Sequence, residues 1–322
     1  MNLPPATTEA LTAEEIAEIR AQAQAAVAEF PTVTAAAVAA DVKYTTFHGW
    51  LRDAYSGDNA AVALKVRRWL AARRDAAGPA SALPEVPGWL PTPTAAKIMP
   101  ILQFAQIATS FTLIAGEPGL SKTCTAKHYR DITPHVWIVQ CEPSMSSVNP
   151  LLQAICREMG IAERMATRLS WSIGQHVAGR RGLLIVDEAQ FLDVRALEQL
   201  RTFPEKYGLG VALLGNRSVF ARIQGGGNTD RSQLSSRLSM RDYLRAAQLG
   251  DIVALLDAWG VSDDEERKFL AQVAKKPGAL RNLTLTLSLA STVAAGASRR
   301  RDLGDIRSAW AQLSGDMSGV AA

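Results

Sequence analysis

The octapeptide Gly116-Glu117-Pro118-Gly119-Leu120-Ser121-Lys122-Thr123 decides the fold of this 322-residue chain. It follows the apolar run 111–115, which predicts a buried strand, and it precedes a polar segment that begins at Cys124 and is compatible with a helix. A strand, a glycine-rich turn, Lys-Thr and a helix form a P-loop, in which backbone N–H groups and the positive end of the helix surround a polyphosphate. The pattern therefore predicts a nucleotide site at residues 116–124.

Three residues of this stretch have individual expectations. Lys122 is expected to reach the β- and γ-phosphates of a nucleotide, and the Thr123 hydroxyl to ligate Mg²⁺. Ser121 stands where the pattern G-x-x-x-x-G-K-[ST] has glycine, so its side chain is expected to strain the turn or press on the phosphates. We expect this departure to affect hydrolysis more than binding. The alternative is a glycine-rich turn that precedes a helix without binding a nucleotide.

A second apolar run, 183–186, ends in the acidic pair Asp187-Glu188, which is the pattern of a Walker B strand. Asp187 is expected to face the Mg²⁺ of the P-loop, and Glu188 to polarise an attacking water. Further short apolar runs at 136–140 and 210–215 alternate with helical segments, which predicts a parallel sheet with the site at the carboxyl ends of its strands. Asn216, at the end of one run, either holds the lytic water or caps the next helix, and both roles are compatible.

The carboxyl-terminal part of the chain supplies two candidate arginines. Residues 217–245 are rich in arginine, and Arg237 is the candidate to complete the site of a neighbouring subunit, with an ordinary solvated basic face as the alternative. Residues 246–322 show helical periodicity throughout and predict a small bundle. Within it, Arg281 lies one turn into a helix that begins near Pro277, where it is expected to fold over the nucleotide.

The first 77 residues predict an all-helical domain. Thr12 begins a capping box, and two short helices at 34–40 and 43–54 joined by a tight turn suggest helix-turn-helix geometry. A further helix is expected from the cap Asp58 to Arg74. In this arrangement the residues expected to face DNA are Lys43, Tyr44, Thr45, Thr46 and His48, while Val42, Phe47, Trp50 and Leu51 hold the helix on its core. The alternative is a small helical domain that binds proteins. Residues 78–93 contain five prolines and predict a semi-extended linker.

Composition limits the classes of function. The net charge of +4 and the pI near 9.0 permit nucleic-acid binding without requiring it. No apolar stretch approaches the ~20 residues that span a bilayer, so no membrane partner is expected. The three cysteines have no metal-ligand spacing and cannot all pair, which favours a reducing, cytoplasmic compartment.

The order of these motifs resembles that of AAA+ ATPases. In that resemblance residues 94–245 form the α/β ATPase core, Asn216 is sensor 1, Arg237 is the arginine finger, and residues 246–322 form a helical lid that carries Arg281 as sensor 2. With the amino-terminal domain included, the chain resembles the B transposition proteins of Mu-like phages. The stretches that carry this likeness are Tyr55-Ser56-Gly57-Asp58-Asn59, Arg68-Trp69-Leu70, Val136-Trp137-Ile138, Asp187-Glu188-Ala189, Leu214-Gly215-Asn216-Arg217 and Lys276-Pro277-Gly278-Ala279-Leu280-Arg281.

The resemblance implies a function. ATP, with Mg²⁺, would drive self-association into a helical filament on duplex DNA of any sequence, and the filament would deliver target DNA and stimulate a transposase. DNA-stimulated hydrolysis would dissolve the filament. By the same analogy, Arg164 and Arg168 fall near a DNA-contacting basic segment, and the chain would act in the cytoplasm of a bacterial host. Two alternatives stay open. One is a helicase-loader or secretion-type ATPase that acts on proteins, and the other is a non-enzymatic DNA-binding regulator with ATP as its ligand.

Overall fold

The structure, a computed structural model, describes residues 11–82, 85–224 and 236–315. The chain divides into two compact units, residues 1–83 and 84–322. Each unit is held by apolar cores of its own. The finer predicted boundaries, at 77/78, 93/94 and 245/246, stay predictions. Among the described residues, no helix combines the length and the apolar character needed to cross a membrane.

The amino-terminal unit consists of helices α1 (Ala13–Val27), α2 (Val33–Ala39), α3 (Tyr44–Leu51) and α4 (Asn59–Ala82). The predicted capping box at Thr12 is confirmed, since its hydroxyl accepts from the Glu15 N–H and the Glu15 carboxylate accepts from the Thr12 N–H. Between α2 and α3 the chain turns at Asp41, where φ is 51° and Lys65 donates to both its carbonyl and its carboxylate. As predicted, α3 is anchored by three buried side chains: Phe47, Trp50 and Leu51.

Helix α4 is longer than predicted. Asp58 caps it as expected, accepting from the Ala61 N–H at 2.9 Å. The predicted end at Arg74 is wrong, because the helix continues to Ala82, and the expectation of semi-extended chain from residue 78 is therefore wrong for residues 78–82. The stretch 71–82 is rich in alanine, the residue with the highest helix propensity.

The larger unit contains a five-stranded parallel sheet in the order β2-β3-β4-β1-β5. Its strands are β1 (Phe111–Gly116), β2 (Val136–Gln140), β3 (Leu183–Asp187), β4 (Gly210–Gly215) and β5 (Leu238–Leu244). The first four confirm the strands predicted from apolar runs. Strand β5 was not predicted, and it pairs with β1 at the edge of the sheet.

Helices cover both faces of this sheet. They are α5 (Pro93–Ile107), α6 (Lys122–Ile132), α7 (Val148–Glu158), α8 (Leu169–Val177), α9 (Val194–Tyr207) and α10 (Arg217–Gln224). Successive side chains of a strand point to opposite faces, and accordingly Leu184 and Leu213 belong to a core with α7, α8 and α9. Ile185 and Leu214 belong to a separate core with α5 and α6. The predicted α/β architecture with a parallel sheet is confirmed.

The last helices form a bundle with its own core: α11 (Leu249–Ala258), α12 (Asp264–Val273), α13 (Ala279–Gly296) and α14 (Leu303–Ser314). Thr92 caps α5 by accepting from the Ala95 N–H, and Pro93 occupies the first helical position, where proline fits. Thr94 is already inside the helix, and its hydroxyl donates to Asp251 of α11 at 2.5 Å.

Candidate nucleotide site

The turn after β1 contains two positions that favour glycine for different reasons. A Cβ on Gly116 would lie 2.5 Å from the carbonyl oxygen of Leu244, on the neighbouring strand β5. Gly119 has φ of 79°, in the left-handed region that favours glycine. Ser121 is also left-handed, with φ of 57° and ψ of 15°, and its side chain makes no capping bond to α6. The conformation at Ser121 thus agrees with the expectation that glycine would suit this position.

Lys122 lies over the turn. Its ammonium donates to the carbonyl oxygens of Gly116 at 2.9 Å and Glu117 at 2.8 Å. Burial lowers the pKa of Lys122, and the carboxylates of Asp187, Glu188 and Glu117 oppose that shift. A partly desolvated cation beside the N–H groups of a helix start makes this turn a site for an anion.

The two predicted metal ligands are in contact. The Thr123 hydroxyl donates to Oδ2 of Asp187 at 2.6 Å, and the backbone N–H of Glu188 donates to Oδ1 of the same carboxylate at 2.9 Å. Asp187 is almost completely buried, at 2% exposure. A hydroxyl and a buried carboxylate beside a phosphate site are the oxygen donors that suit Mg²⁺.

Glu188 and Asn216 are joined by a residue that the sequence did not single out. The Gln190 amide nitrogen donates to Oε2 of Glu188, and its oxygen accepts from the backbone N–H of Asn216 at 3.3 Å. Oδ1 of Asn216 accepts from both the N–H and the hydroxyl of Ser218, at 2.8 and 2.7 Å. The capping interpretation of Asn216 is therefore confirmed, and its part in holding a water stays a prediction.

These groups line one cavity of about 610 Å³, a volume typical of small-molecule sites. One wall comes from residues 86–90 and 92, which the sequence predicted only as linker. In this wall the Trp89 ring stacks on His128 of α6, with centroids 3.6 Å apart and planes at 3°. Trp89 and Leu90 are large apolar residues within a proline-rich stretch, and that combination was the available signal that the segment packs against the core.

The helical bundle closes the opposite side of the cavity. Leu280 and Arg281 of α13 and Leu255 of α11 line it, and the exposed Arg281 lies in the first turn of α13 as predicted. The Leu280 N–H donates to the carbonyl oxygen of Gly119 at 3.2 Å, so the start of α13 is bonded directly to the P-loop. The bundle therefore has the position of a lid over the turn.

The buried carboxylate of Asp251 forms a second link, between the lid and helix α5. Asp251 of α11 is fully buried and accepts from both the N–H and the hydroxyl of Thr94, at 2.8 and 2.5 Å. It also accepts from the Gln248 N–H at 2.7 Å. No motif in the sequence marks this contact, because its partners are 157 positions apart.

The cysteines at the site are ordinary thiols. Burial raises the pKa of Cys124, which lines the cavity, although Lys127 opposes the shift. The pKa of Cys141 rises to about 12, first through burial and then through Asp187 and Glu188. Both side chains therefore stay protonated near neutral pH, and neither has the thiolate character of a nucleophile.

Other predicted residues lie outside this cavity. Arg237 is exposed and forms an ion pair with Glu205 at 2.5 Å. Arg164 and Arg168 are exposed between α7 and α8, beside Glu163. The pKa of Glu163 is lowered chiefly by its hydrogen bond from the Met165 N–H, and to a smaller extent by Arg168. In the amino-terminal unit, the residues predicted to face DNA are exposed at Lys43, Tyr44 and Thr45 and half-buried at Thr46 and His48.

Comparison with known families matches two parts of the chain. Residues 236–313 match the family described as "Mu B transposition protein, C terminal", and residues 107–223 match the family described as "AAA domain". The chain is 34% identical over 275 residues to the ATP-dependent target DNA activator B of Escherichia phage Mu, covering 84% of this chain and 87% of that protein. It is 34% identical over 252 residues to the Mu-like prophage FluMu DNA transposition protein B of Haemophilus influenzae, covering 77% and 87%.

Solved structures resemble the chain in fold. Cdc6p from Pyrobaculum aerophilum aligns with a TM-score of 0.53 at 17% identity, over 71% of this chain and 69% of that one. The Aeropyrum pernix ORC1 protein, solved in complex with DNA, aligns with a TM-score of 0.51 at 17% identity, over 72% and 68%. At these identities the likeness concerns the fold alone. Together with the AAA domain match, it confirms the predicted AAA+ fold.

Proposed function

The chain belongs to the Mu B transposition protein family, and we propose that it is an ATPase that binds duplex DNA in response to ATP and presents it as a transposition target. The observation that carries this proposal is the meeting of the P-loop, Asp187, Glu188 and Asn216 in one cavity under a helical lid. The AAA domain match supports ATP hydrolysis, and the names of the relatives support activation of target DNA.

The cavity supplies each part that phosphoryl transfer to water needs. The N–H groups of the turn from Gly119 to the start of α6 and the Lys122 ammonium bind the phosphates, and Arg281 faces them from the lid. Thr123 and Asp187 would hold Mg²⁺, which neutralises charge on the phosphates. Glu188 polarises the attacking water and the Asn216 amide orients it, since positioning and electrostatic stabilisation carry most of this reaction.

A neighbouring subunit completes the site in this proposal. Arg237 does not line the cavity of its own chain, and its side chain is 57% exposed in an ion pair with Glu205. An exposed pair of this kind is worth only ~0–1 kcal/mol, so Arg237 can leave Glu205 at little cost. An arginine supplied to the next subunit's γ-phosphate would couple ATP binding to the growth of a helical filament.

DNA binding rests on two surfaces. The amino-terminal turn of α3, with the exposed Lys43, Tyr44 and Thr45 and the half-buried Thr46, would act as the recognition helix, and the exposed Arg164 and Arg168 would contact phosphates. Contacts to phosphates make affinity fall with salt for every sequence. Removing Arg164 or Arg168 should therefore lower the salt dependence by about one counterion each. An unchanged slope for both variants would remove this segment from the DNA interface.

Cosedimentation and electron microscopy with ATP and duplex DNA test the proposal. Lys122→Ala should not assemble, because the phosphates lose their cation, while Glu188→Gln should form filaments that outlast those of the native chain. The matched control is Lys127→Ala, an exposed lysine on the same helix that does not line the cavity. Normal filaments from Lys122→Ala would refute the role of the P-loop in assembly.

The remaining activities follow from the assembled state. The filament stimulates a transposase, and hydrolysis releases the DNA. Glu188→Gln filaments that dissolve as fast as native ones would refute the hydrolysis-driven release. Discrete rings that form without DNA would instead favour an ATPase that acts on proteins, and ATP binding without turnover would favour a regulator.

A further inference from the structure

Gln190 connects the ends of two neighbouring strands. It lies in the short 3₁₀ turn Ala189–Phe191, directly after β3, and that turn packs on β4 and α10. Its side chain is half-buried and reaches from Glu188, at the end of β3, to Asn216, at the end of β4. The Gln190 side chain packs closely against Gly215, since a Cβ on Gly215 would lie 2.9 Å from the Gln190 oxygen.

The hydrogen-bonding capacity of its two partners fixes the orientation of the Gln190 amide. The backbone N–H of Asn216 can only donate, so it requires the oxygen of Gln190. The carboxylate of Glu188 can only accept, so it requires the nitrogen. A flipped amide would lose both hydrogen bonds. Its oxygen would then face the Glu188 carboxylate, and its nitrogen would face the Asn216 N–H. Gln190 is therefore held in one orientation by both of its neighbours.

Glu188 needs such a restraint. Its backbone is left-handed, with φ of 55° and ψ of 37°, and its side chain is half-buried at the edge of the cavity. Within the described part of the chain, the Glu188 carboxylate accepts a single hydrogen bond, from Gln190. The bond occupies Oε2 and leaves Oε1 for another partner. A long side chain without this bond has several rotamers, and a misplacement of ~1 Å can cost about 100-fold in rate.

We propose that Gln190 is a positioning residue for hydrolysis, which sets the Glu188 carboxylate and the Asn216 backbone in a fixed relation around the attacking water. The inference rests on the proposed roles of Glu188 and Asn216. Among the described residues, the side chain of Gln190 forms no hydrogen bond with the P-loop or with the predicted metal ligands Thr123 and Asp187. Its loss should therefore affect the chemical step and spare the binding of ATP.

Two substitutions disrupt the bridge in different ways. Gln190→Leu keeps the approximate volume and removes both hydrogen bonds. Gln190→Glu keeps an acceptor for the Asn216 N–H but places a second carboxylate against Glu188. We expect both to lower kcat about 10- to 100-fold, with KM and the Kd for ADP changed by no more than about twofold. Thermal melting checks that each variant is folded.

A double substitution tests whether Gln190 acts through Glu188. If it does, Glu188→Gln combined with Gln190→Leu should turn over no more slowly than Glu188→Gln alone, because residues that act as a unit are not additive. A role in packing alone would instead weaken nucleotide binding and add its effect to that of Glu188→Gln. Unchanged or faster turnover by Gln190→Leu, or additive losses, would overturn the inference. A native chain that does not hydrolyse ATP would refute the proposed function itself, and the inference with it.

Discussion

Replacing Ser121 by glycine should stabilise the larger unit. Ser121 holds φ at 57° without a capping bond that would compensate for it. A left-handed conformation costs an ordinary residue about 1–2 kcal/mol, and glycine avoids that cost. Glycine also increases the entropy of the unfolded chain, which removes about 0.4–1 kcal/mol of the gain. The balance is a stabilisation of about 0.5–1 kcal/mol, or a rise in Tm of about 1–4 °C for a unit of this size.

Gly119→Ala is the matched comparison. Gly119 is also left-handed, with φ of 79°, but a Cβ there would lie 1.9 Å from the carbonyl oxygen of Gly278 at the start of α13. The lid must move away or the turn must distort, so we expect a loss of about 2–5 kcal/mol from overpacking and backbone strain together. The two variants share a backbone region and differ in the space around them, which makes opposite signs the expected result.

Thermal melting without nucleotide, followed by circular dichroism, measures both effects. Ser121→Gly should also raise ATP turnover more than ATP affinity, because the Ser121 side chain lies at the turn that faces the phosphates. A Ser121→Gly protein that melts at or below the native temperature would refute the strain argument. A Gly119→Ala protein that melts like the native chain would refute the close contact between the P-loop and the lid.

Two further predictions concern arginines. Asp305 accepts two hydrogen bonds of 2.6 Å from Arg299, which chiefly lower the pKa of Asp305 below its unfolded value. Stability from this pair is therefore full above the unfolded pKa and is lost as pH falls through the folded pKa. Asp305→Asn should cost about 1–2 kcal/mol near pH 7 and progressively less as pH falls below the unfolded pKa, as urea unfolding over a pH series would show; an equal loss at every pH would contradict the pairing. Arg237→Ala should abolish turnover alone, and mixing it with Lys122→Ala should restore part of it, since each subunit supplies what its neighbour lacks. No recovery on mixing would count against an arginine acting between subunits, and Glu205→Gln is the control.

The parts of the fold that could be predicted from sequence are those with local signals. Strands β1 and β3 are fully buried on both faces and therefore appear as continuous apolar runs. Strand β5 lies at the edge of the sheet and alternates half-buried residues with exposed ones such as Arg241. The strand lies in a segment rich in arginine, and a period of two is its only sequence signal. An edge strand with partly exposed residues therefore has fewer apolar residues by which its sequence could be recognised than a central strand has.

The residues of the site likewise divide into those with a local signal in the sequence and those without one. Lys122, Thr123, Asp187 and Glu188 have fixed spacing to glycines and strand ends, so sequence alone placed them. The wall at 86–90 was missed because prolines indicate a stiff segment and do not indicate what it packs against. The contacts of Asp251 with Thr94 and of Gln190 with Asn216 join distant positions, and they exist only after the sheet and the lid have formed.

In the proposed function, one cavity couples ATP hydrolysis to duplex DNA. Phosphate release by the native chain, measured with and without duplex DNA, tests it most directly, with Glu188→Gln as the slow reference. We predict turnover that DNA stimulates and that Glu188→Gln lowers to a small residual rate. Turnover that is indifferent to DNA, or equal in the Glu188→Gln variant, would contradict the claim.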